Sequence, residues 1–474
     1  MKASFVYTIS SVLSKGLAVI TIPVFTRIMN TEQMGIVNLF TSWQAMIGVF
    51  ATLSLTSGGY MLAMKEFEKR RDKYMSSVLT LTSITALIIA LIYYSGRAFF
   101  NNFIGLSSNL MILMIFGFFV SPATEFWLAR QRYEYNYIRA GLITIISSLL
   151  ATLFSIICVL LGRNKGYDNL AEIRLFSTNI VVFGIALIIW IAIMVKGKTF
   201  VDTFFWRYSL KLSVPLIGNS IAMQILSVSD RSMISKMVGN SELGIYSVLY
   251  SVSSLSIIVW SAINSSFVPF LFEKIEKKEG RRKIQSVSTK LMFVYGFFAV
   301  LATAVAPEIV RILATKEYYE AIYIMPPIAA GIFFTSVSNI YSNILIYYKK
   351  TQYIMISSIL AAVINLVLNY LFIQIWGYMA AAYTTLIAYV VLAIMQLIVS
   401  NSVIKKQKNF IDTDVYDHKS IIIISIITVT LCMSCLAIYH LNNIYRYIIT
   451  AVFGILVGLL YLKVYCSKSI CKKA

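Results

Sequence analysis

The sequence predicts an all-helical polytopic membrane protein of about 14 transmembrane helices, and three observations predict it. Hydrophobic residues make up 59% of the 474 residues and charged residues only 13%, with a mean hydropathy of +0.78. That balance leaves too little polar surface for a water-soluble fold. The apolar residues come in blocks of roughly 18 to 25, enough to cross about 30 Å of hydrocarbon at about 1.5 Å per residue. The blocks are continuous where a closed β-barrel would show short alternating segments.

In chain order the expected spans are 5–28, 35–62, 75–95, 109–129, 138–161, 172–195, 214–237, 243–268, 286–306, 319–347, 354–375, 379–401, 420–440 and 444–465. The first apolar segment outruns a signal-peptide core and has no small-residue cleavage site behind it, so it is read as the first span. A formal charge of +21 would point to nucleic acid in a soluble protein, but here its position matters more than its sum. Lys and Arg cluster in alternate loops: KEFEKRRDKY from Lys65 to Tyr74, RQRYEYNYIR from Arg130 to Arg139, the stretch Lys196 to Lys211, EKIEKKEGRRK from Glu273 to Lys283, Lys349-Lys350, Lys405 to Lys408, and the tail from Lys463 to Lys473. The intervening loops around Asn30, Asn102, Asn240, Ile375 and Asn442 carry few cations. This bias places both termini and the basic loops in the cytoplasm. The longest hydrophilic connections, 196–213, 269–285 and 402–419, fall on that side, so no extracytoplasmic domain is expected.

Internal similarity divides the chain. Met34-Gly35-Ile36 recurs as Leu243-Gly244-Ile245, an offset of 209, and Gly166-Tyr167 recurs as Gly377-Tyr378, an offset of 211. Two six-helix lobes, 1–195 and 214–401, follow from it, parallel because an even span number preserves orientation. Residues 196–213 and 402–419 would be cytoplasmic linkers, and 420–474 two further helices with a basic tail. The first helix of each half carries a polar stripe at steps of three or four: Ser4, Thr8, Ser11 and Lys15 in one, Ser220, Gln224, Ser227 and Arg231 in the other. Polar faces within hydrocarbon are either sheltered by protein or line a water-filled cavity, so the expected picture is a central cleft between the lobes. Ordinary interhelical hydrogen bonding by the serines is the alternative.

Charges within spans are costly and need a partner or a function. Lys15 lies halfway along span 1, where it suits an anionic substrate group or pairs with a neighbouring helix. Arg231 shares the stripe of span 7, while Asp230 is turned about 100° away and is either a coupling site or a structural charge. Arg27 and Lys236, 209 residues apart, sit at the outer mouth, where they either attract acidic glycan or snorkel to the interface. Glu125, near the cytoplasmic end of span 4, either takes a proton or meets the headgroups. Pro23, Pro122, Pro215 and Pro326-Pro327 are candidate hinges or fixed kinks. Cys432 and Cys435 form a CxxC spacing inside an apolar span and are read as packing residues. His418 and His440 make no metal centre alone, and no cofactor is implied.

Three stretches resemble a known family. ITIPVFTRIMNTEQMGIVNLF (Ile20 to Phe40) is similar to an opening motif P-x-x-T-R-x-L, acidic residue, G-x-Y, with Val37 where Tyr is common. SVSDRSMISKMVGNSELGIYSVLY (Ser227 to Tyr250) resembles the start of the second half, and APEIVRILATKEYYEA (Ala306 to Ala321) the segment between spans 9 and 10. They resemble the polysaccharide-transporter branch of the multidrug/oligosaccharidyl-lipid/polysaccharide exporter superfamily, which includes the O-antigen flippases. The resemblance implies a flippase, not an enzyme. It would carry undecaprenyl-pyrophosphate-linked repeat units of a surface polysaccharide such as O-antigen of lipopolysaccharide across the bacterial inner membrane by alternating access. Its partners would be that lipid-linked oligosaccharide, membrane lipid and other polysaccharide-assembly membrane proteins, with no nucleic acid. Lipid II flippases of the same superfamily also have 14 spans, so 420–465 either accommodates a lipid tail or packs at the periphery. The rivals are a multidrug cation antiporter of the same superfamily, which would favour acidic groups in the cleft, and a membrane glycan polymerase or ligase, which would present a sizeable outer loop.

Overall fold

Asn30 opens the first long helix by accepting the backbone N–H of Gln33, whose side chain returns a bond to the Asn30 N–H. This reciprocal cap satisfies two donors that the start of a helix would otherwise leave unpaired. The computed structural model describes residues 16–17, 20–56, 60–406, 414–442, 444–452 and 454–455. Among them no strand occurs.

The helices are α1 (Ile22–Ile28), α2 (Thr31–Thr52), α3 (Tyr60–Glu66), α4 (Arg71–Ser95), α5 (Arg97–Ile104), α6 (Ser108–Tyr133), α7 (Tyr137–Asn164), α8 (Leu170–Gly197) and α9 (Thr203–Met237). There follow α10 (Asn240–Ser253), α11 (Ser256–Lys274), α12 (Lys278–Ala304), α13 (Ala306–Leu313), α14 (Met325–Tyr347), α15 (Thr351–Trp376), α16 (Tyr378–Lys405) and α17 (His418–Ile438). Eleven helices among the described residues are long and apolar enough to cross a membrane, or twelve if Thr203–Val214 and Leu216–Met237, bent by 48°, form one span. About half of each of the expected spans 5–28 and 444–465 lies outside the described residues.

Leu142, Ile146, Leu149, Leu153, Ile157 and Leu160 run along one face of α7 at steps of three and four, all exposed. A continuous apolar face of this length is a lipid-facing surface.

The chain clusters into two compact units. The first holds Met1–Val248, Leu313–Glu317 and Met355–Ala381, the second Leu249–Ile312, Tyr318–Ile354 and Ala382–Ala474. In the first, the core gathers Tyr60, Phe67, Tyr74, Phe126 and Phe205. Tyr60 stacks on Phe126 at 5.1 Å, and its hydroxyl donates to the Phe126 carbonyl at 2.9 Å. The connection expected at 196–213 is helical from Thr203. Asp202 caps it by accepting the N–H groups of Phe204 and Phe205. Phe205 then packs 4.9 Å from Phe67, and Trp206 Nε1 donates to the Ser77 carbonyl at 2.9 Å. In the second unit, α14 is buried along nearly its whole length, and the Tyr416 hydroxyl donates to the Ile340 carbonyl at 3.0 Å.

The 209-residue offset reappears as a reciprocal contact within the first unit. A Cβ added at Gly35 would strike the carbonyl oxygen of Asn240, and one added at Gly244 would strike the carbonyl oxygen of Thr31. Asn240 is the 209-offset equivalent of Thr31, as Gly244 is of Gly35. The two helices, α2 and α10, cross here with backbone against backbone, and Thr31 Oγ1 lies 2.6 Å from Ser241 Oγ.

The prolines divide by position. Pro23 and Pro326 stand in the first turns of α1 and α14, where a missing N–H costs nothing, so they begin helices and kink no helix interior. Pro122 lies inside α6, and the 48° bend of α9 falls at residue 215.

Candidate functional site

Gln44, Gly48 and Thr52 recur every four residues along α2, and Asn219, Ser220, Met223 and Gln224 form a matching face on α9. Between these faces lies a cavity of about 510 Å³, closed by Glu125 from α6 and by Ser54 and Thr56 after α2. Thr56 Oγ1 donates to Glu125 Oε2 at 3.3 Å. Asn219 Oδ1 is buried without a hydrogen-bond partner among the described residues. The lining thus offers amide, hydroxyl and carboxylate groups inside a bundle of lipid-length helices.

Of the residues singled out from sequence, Ser220, Gln224 and Glu125 meet at this cavity. Ser11 and Lys15 lie outside the described residues. Ser227 and Arg231 continue the α9 stripe past the cavity. The Ser227 hydroxyl donates to the Gln224 carbonyl at 3.2 Å, and Arg231 Nη1 donates to the Ser227 carbonyl at 2.7 Å.

Asp230, 2% exposed, accepts the Tyr246 hydroxyl at 2.5 Å and the Arg231 N–H at 2.8 Å. It also lies 3.9 Å from Arg231 Nη1, although adjacent residues point apart, because the guanidinium curls back along the helix. Beside it Ser229 Oγ donates to Asn365 Oδ1 at 3.3 Å, as does Asn369 Nδ2 at 3.1 Å.

Arg27 is exposed and bonds the Pro23 carbonyl at 2.8 Å. Lys236 Nζ sits 4.1 Å from the centre of the Phe103 ring. Sequence reasoning missed Gln44, Thr52 and Asn219, although the four-residue spacing in span 2 was a signal of the same kind as the stripes it did read.

Accessibility of this cavity is a direct prediction. Ser220→Cys should react with a membrane-impermeant thiol reagent in at least one conformation, while Ser209→Cys, buried against Tyr74, stays protected. Protection of both, with loop controls labelled, would mean the α9 face is packed.

An all-helical chain with lipid-length helices and a polar cavity among them is a multi-pass integral membrane protein. Its fold is similar to that of the lipid II flippase MurJ in an inward closed conformation, with a TM-score of 0.66 at 18% identity over 98% of this chain and 100% of that one. It is also similar to an inward-facing multidrug resistance MATE family transporter of the MOP superfamily, with a TM-score of 0.59 at 15% identity over 85% of this chain and 96% of that one. The chain belongs to the polysaccharide biosynthesis protein family, whose model matches residues 1–275. The MatE family model also matches, over residues 215–371. A probable low-salt glycan biosynthesis flippase of Haloferax volcanii is 21% identical over 398 residues, 82% of this chain and 81% of that protein.

Proposed function

We propose that this chain is a flippase for a lipid-linked oligosaccharide, and that it carries undecaprenyl-pyrophosphate-linked repeat units from the cytoplasmic to the outer leaflet by alternating access. The polar cavity between α2 and α9 carries the reading. A sugar hydroxyl moved into hydrocarbon loses its bonds to water, at a cost of several kcal/mol for each unsatisfied group. Gln44 and Thr52 on one wall and Asn219, Ser220 and Gln224 on the other supply replacements, while the polyprenyl tail stays in lipid. Membership of a polysaccharide biosynthesis family supports the substrate class, as does the name of the Haloferax volcanii relative. The lobes would be 1–195 and 214–401, and the setting a bacterial cytoplasmic membrane with both termini inside. In cells lacking the protein, lipid-linked oligosaccharide should accumulate facing the cytoplasm. Unchanged orientation would overturn the proposal.

Lys15 is expected to act through its charge on the pyrophosphate or an acidic sugar. Lys15→Glu should abolish transport at normal protein abundance, while Lys15→Arg retains much of it, within the limits of a differently shaped cation. An unmodified rate in Lys15→Glu would remove the residue from the mechanism.

Glu125 favours a second reading, a cation antiporter, because an acid on the cavity wall suits a positively charged substrate. That reading expects a deletion strain to become sensitive to organic cations while its lipid-linked oligosaccharide stays correctly oriented.

A further inference from the structure

Four helix ends of the first unit meet at a second cavity, of about 290 Å³: the start of α4, the end of α6, the start of α7 and the end of α8. Ends of lipid-length helices gathered at one level mark a membrane surface. The cavity floor is apolar, from Met75, Trp127, Ala192 and Ile193. Its rim is charged. Arg130 bridges Asp72 and Glu134, and Lys196 Nζ lies 3.3 Å from Asp72 Oδ1. With Arg139 the rim holds three cations against these two acids.

Two features of this rim point to an anionic, hydroxyl-bearing group. The 28-residue α7 begins at Tyr137 with no side-chain cap from Asn136 and no acidic residue in its first turn. Its first turn instead carries Arg139, which is exposed and makes no ion pair among the described residues. A cation at a helix N-terminus is unfavourable unless an anion sits between it and the free N–H groups. The second feature is Gln131, 7% exposed and lining the cavity, whose Oε1 is buried with no hydrogen-bond partner among the described residues. An orphaned acceptor calls for a donor such as a hydroxyl.

We propose that this cavity binds the phosphate of a hydroxylated lipid headgroup. The phosphate rests between Arg139 and the first turn of α7, a headgroup hydroxyl donates to Gln131, and the glycerol or prenyl end lies on Trp127 and Ile193. Basic pockets between transmembrane helices at the membrane surface hold anionic headgroups through this combination of charge and apolar contact. The chemistry is shared by two sources, phosphatidylglycerol of the membrane and the pyrophosphate-linked glycan of the proposed transport.

Native mass spectrometry of the full protein, offered phosphatidylglycerol, phosphatidylcholine or a polyprenyl pyrophosphate, separates them. Phosphatidylglycerol should remain bound where phosphatidylcholine does not. Arg139→Glu should reduce its retention by about fivefold or more, and Arg139→Lys should preserve it. Loss confined to the polyprenyl pyrophosphate assigns the site to the transported lipid instead. Equal retention of every lipid by Arg139→Glu and the unmodified protein, with both monodisperse, overturns the proposal. Because the readout is binding and not transport, that failure leaves the flippase reading standing.

Discussion

Gly35→Ala and Gly244→Ala each push α2 and α10 apart and destabilise the protein by about 1–3 kcal/mol, with transport lost alongside. The added methyl group meets a backbone carbonyl in both cases, and a carbonyl fixed in a helix cannot rotate out of the way as a flexible side chain would. The helices must separate, breaking the Thr31 to Ser241 hydroxyl contact. Because both glycines serve one crossing, the double substitution should cost less than the sum of the two. Thermal unfolding of the purified variants checks this. A Gly244→Ala protein with an unchanged midpoint and full transport would show that the two backbones do not touch in the membrane.

Asp230→Ala is expected to cost about 3 kcal/mol, since it strips an acceptor from buried donors on two helices. The Tyr246 hydroxyl loses its bond to the carboxylate, and the guanidinium of Arg231 loses a charge 3.9 Å away. Asp230→Asn keeps an oxygen in place and should cost less. Combining Asp230→Ala with Tyr246→Phe separates the direct bond from the rest. If the two losses simply add, the hydroxyl and the carboxylate are not coupled, and the short contact contributes nothing.

Apolar length was legible because hydrocarbon demands it, and the expected span 172–195 became α8, Leu170–Gly197. The expected span 243–268 falls within one membrane-length helical segment, Asn240–Lys274, interrupted by a short turn where α10 passes into α11. No Gly or Pro marks that turn, between Ser253 and Ser256, so periodicity passes straight over it. The helical start at Thr203 was hidden for the opposite reason. Phe204, Phe205 and Tyr208 form an amphipathic turn whose polar residues resemble a loop, and only the packing of Phe67 against them reveals a helix. At the cavity, Ser220 and Gln224 were visible as a stripe on one helix. Gln44 and Thr52 complete it from a helix whose polar residues are diluted by Trp43, Met46 and Phe50. Glu125 was visible only as a misplaced charge, because its partner Thr56 is 69 residues away.

The reciprocal glycine crossing is the contact that two identical subunits make across a twofold axis, here written within one polypeptide. Within one polypeptide each side of such a crossing is free to change alone. Lys15 now stands where its 209-offset equivalent is Gln224, a cation opposite a neutral amide in the sequence repeat. A true homodimer would have to present the same residue twice to whatever lies on its axis. One polypeptide can place different residues at its two equivalent positions, as the sequence does at Lys15 and Gln224.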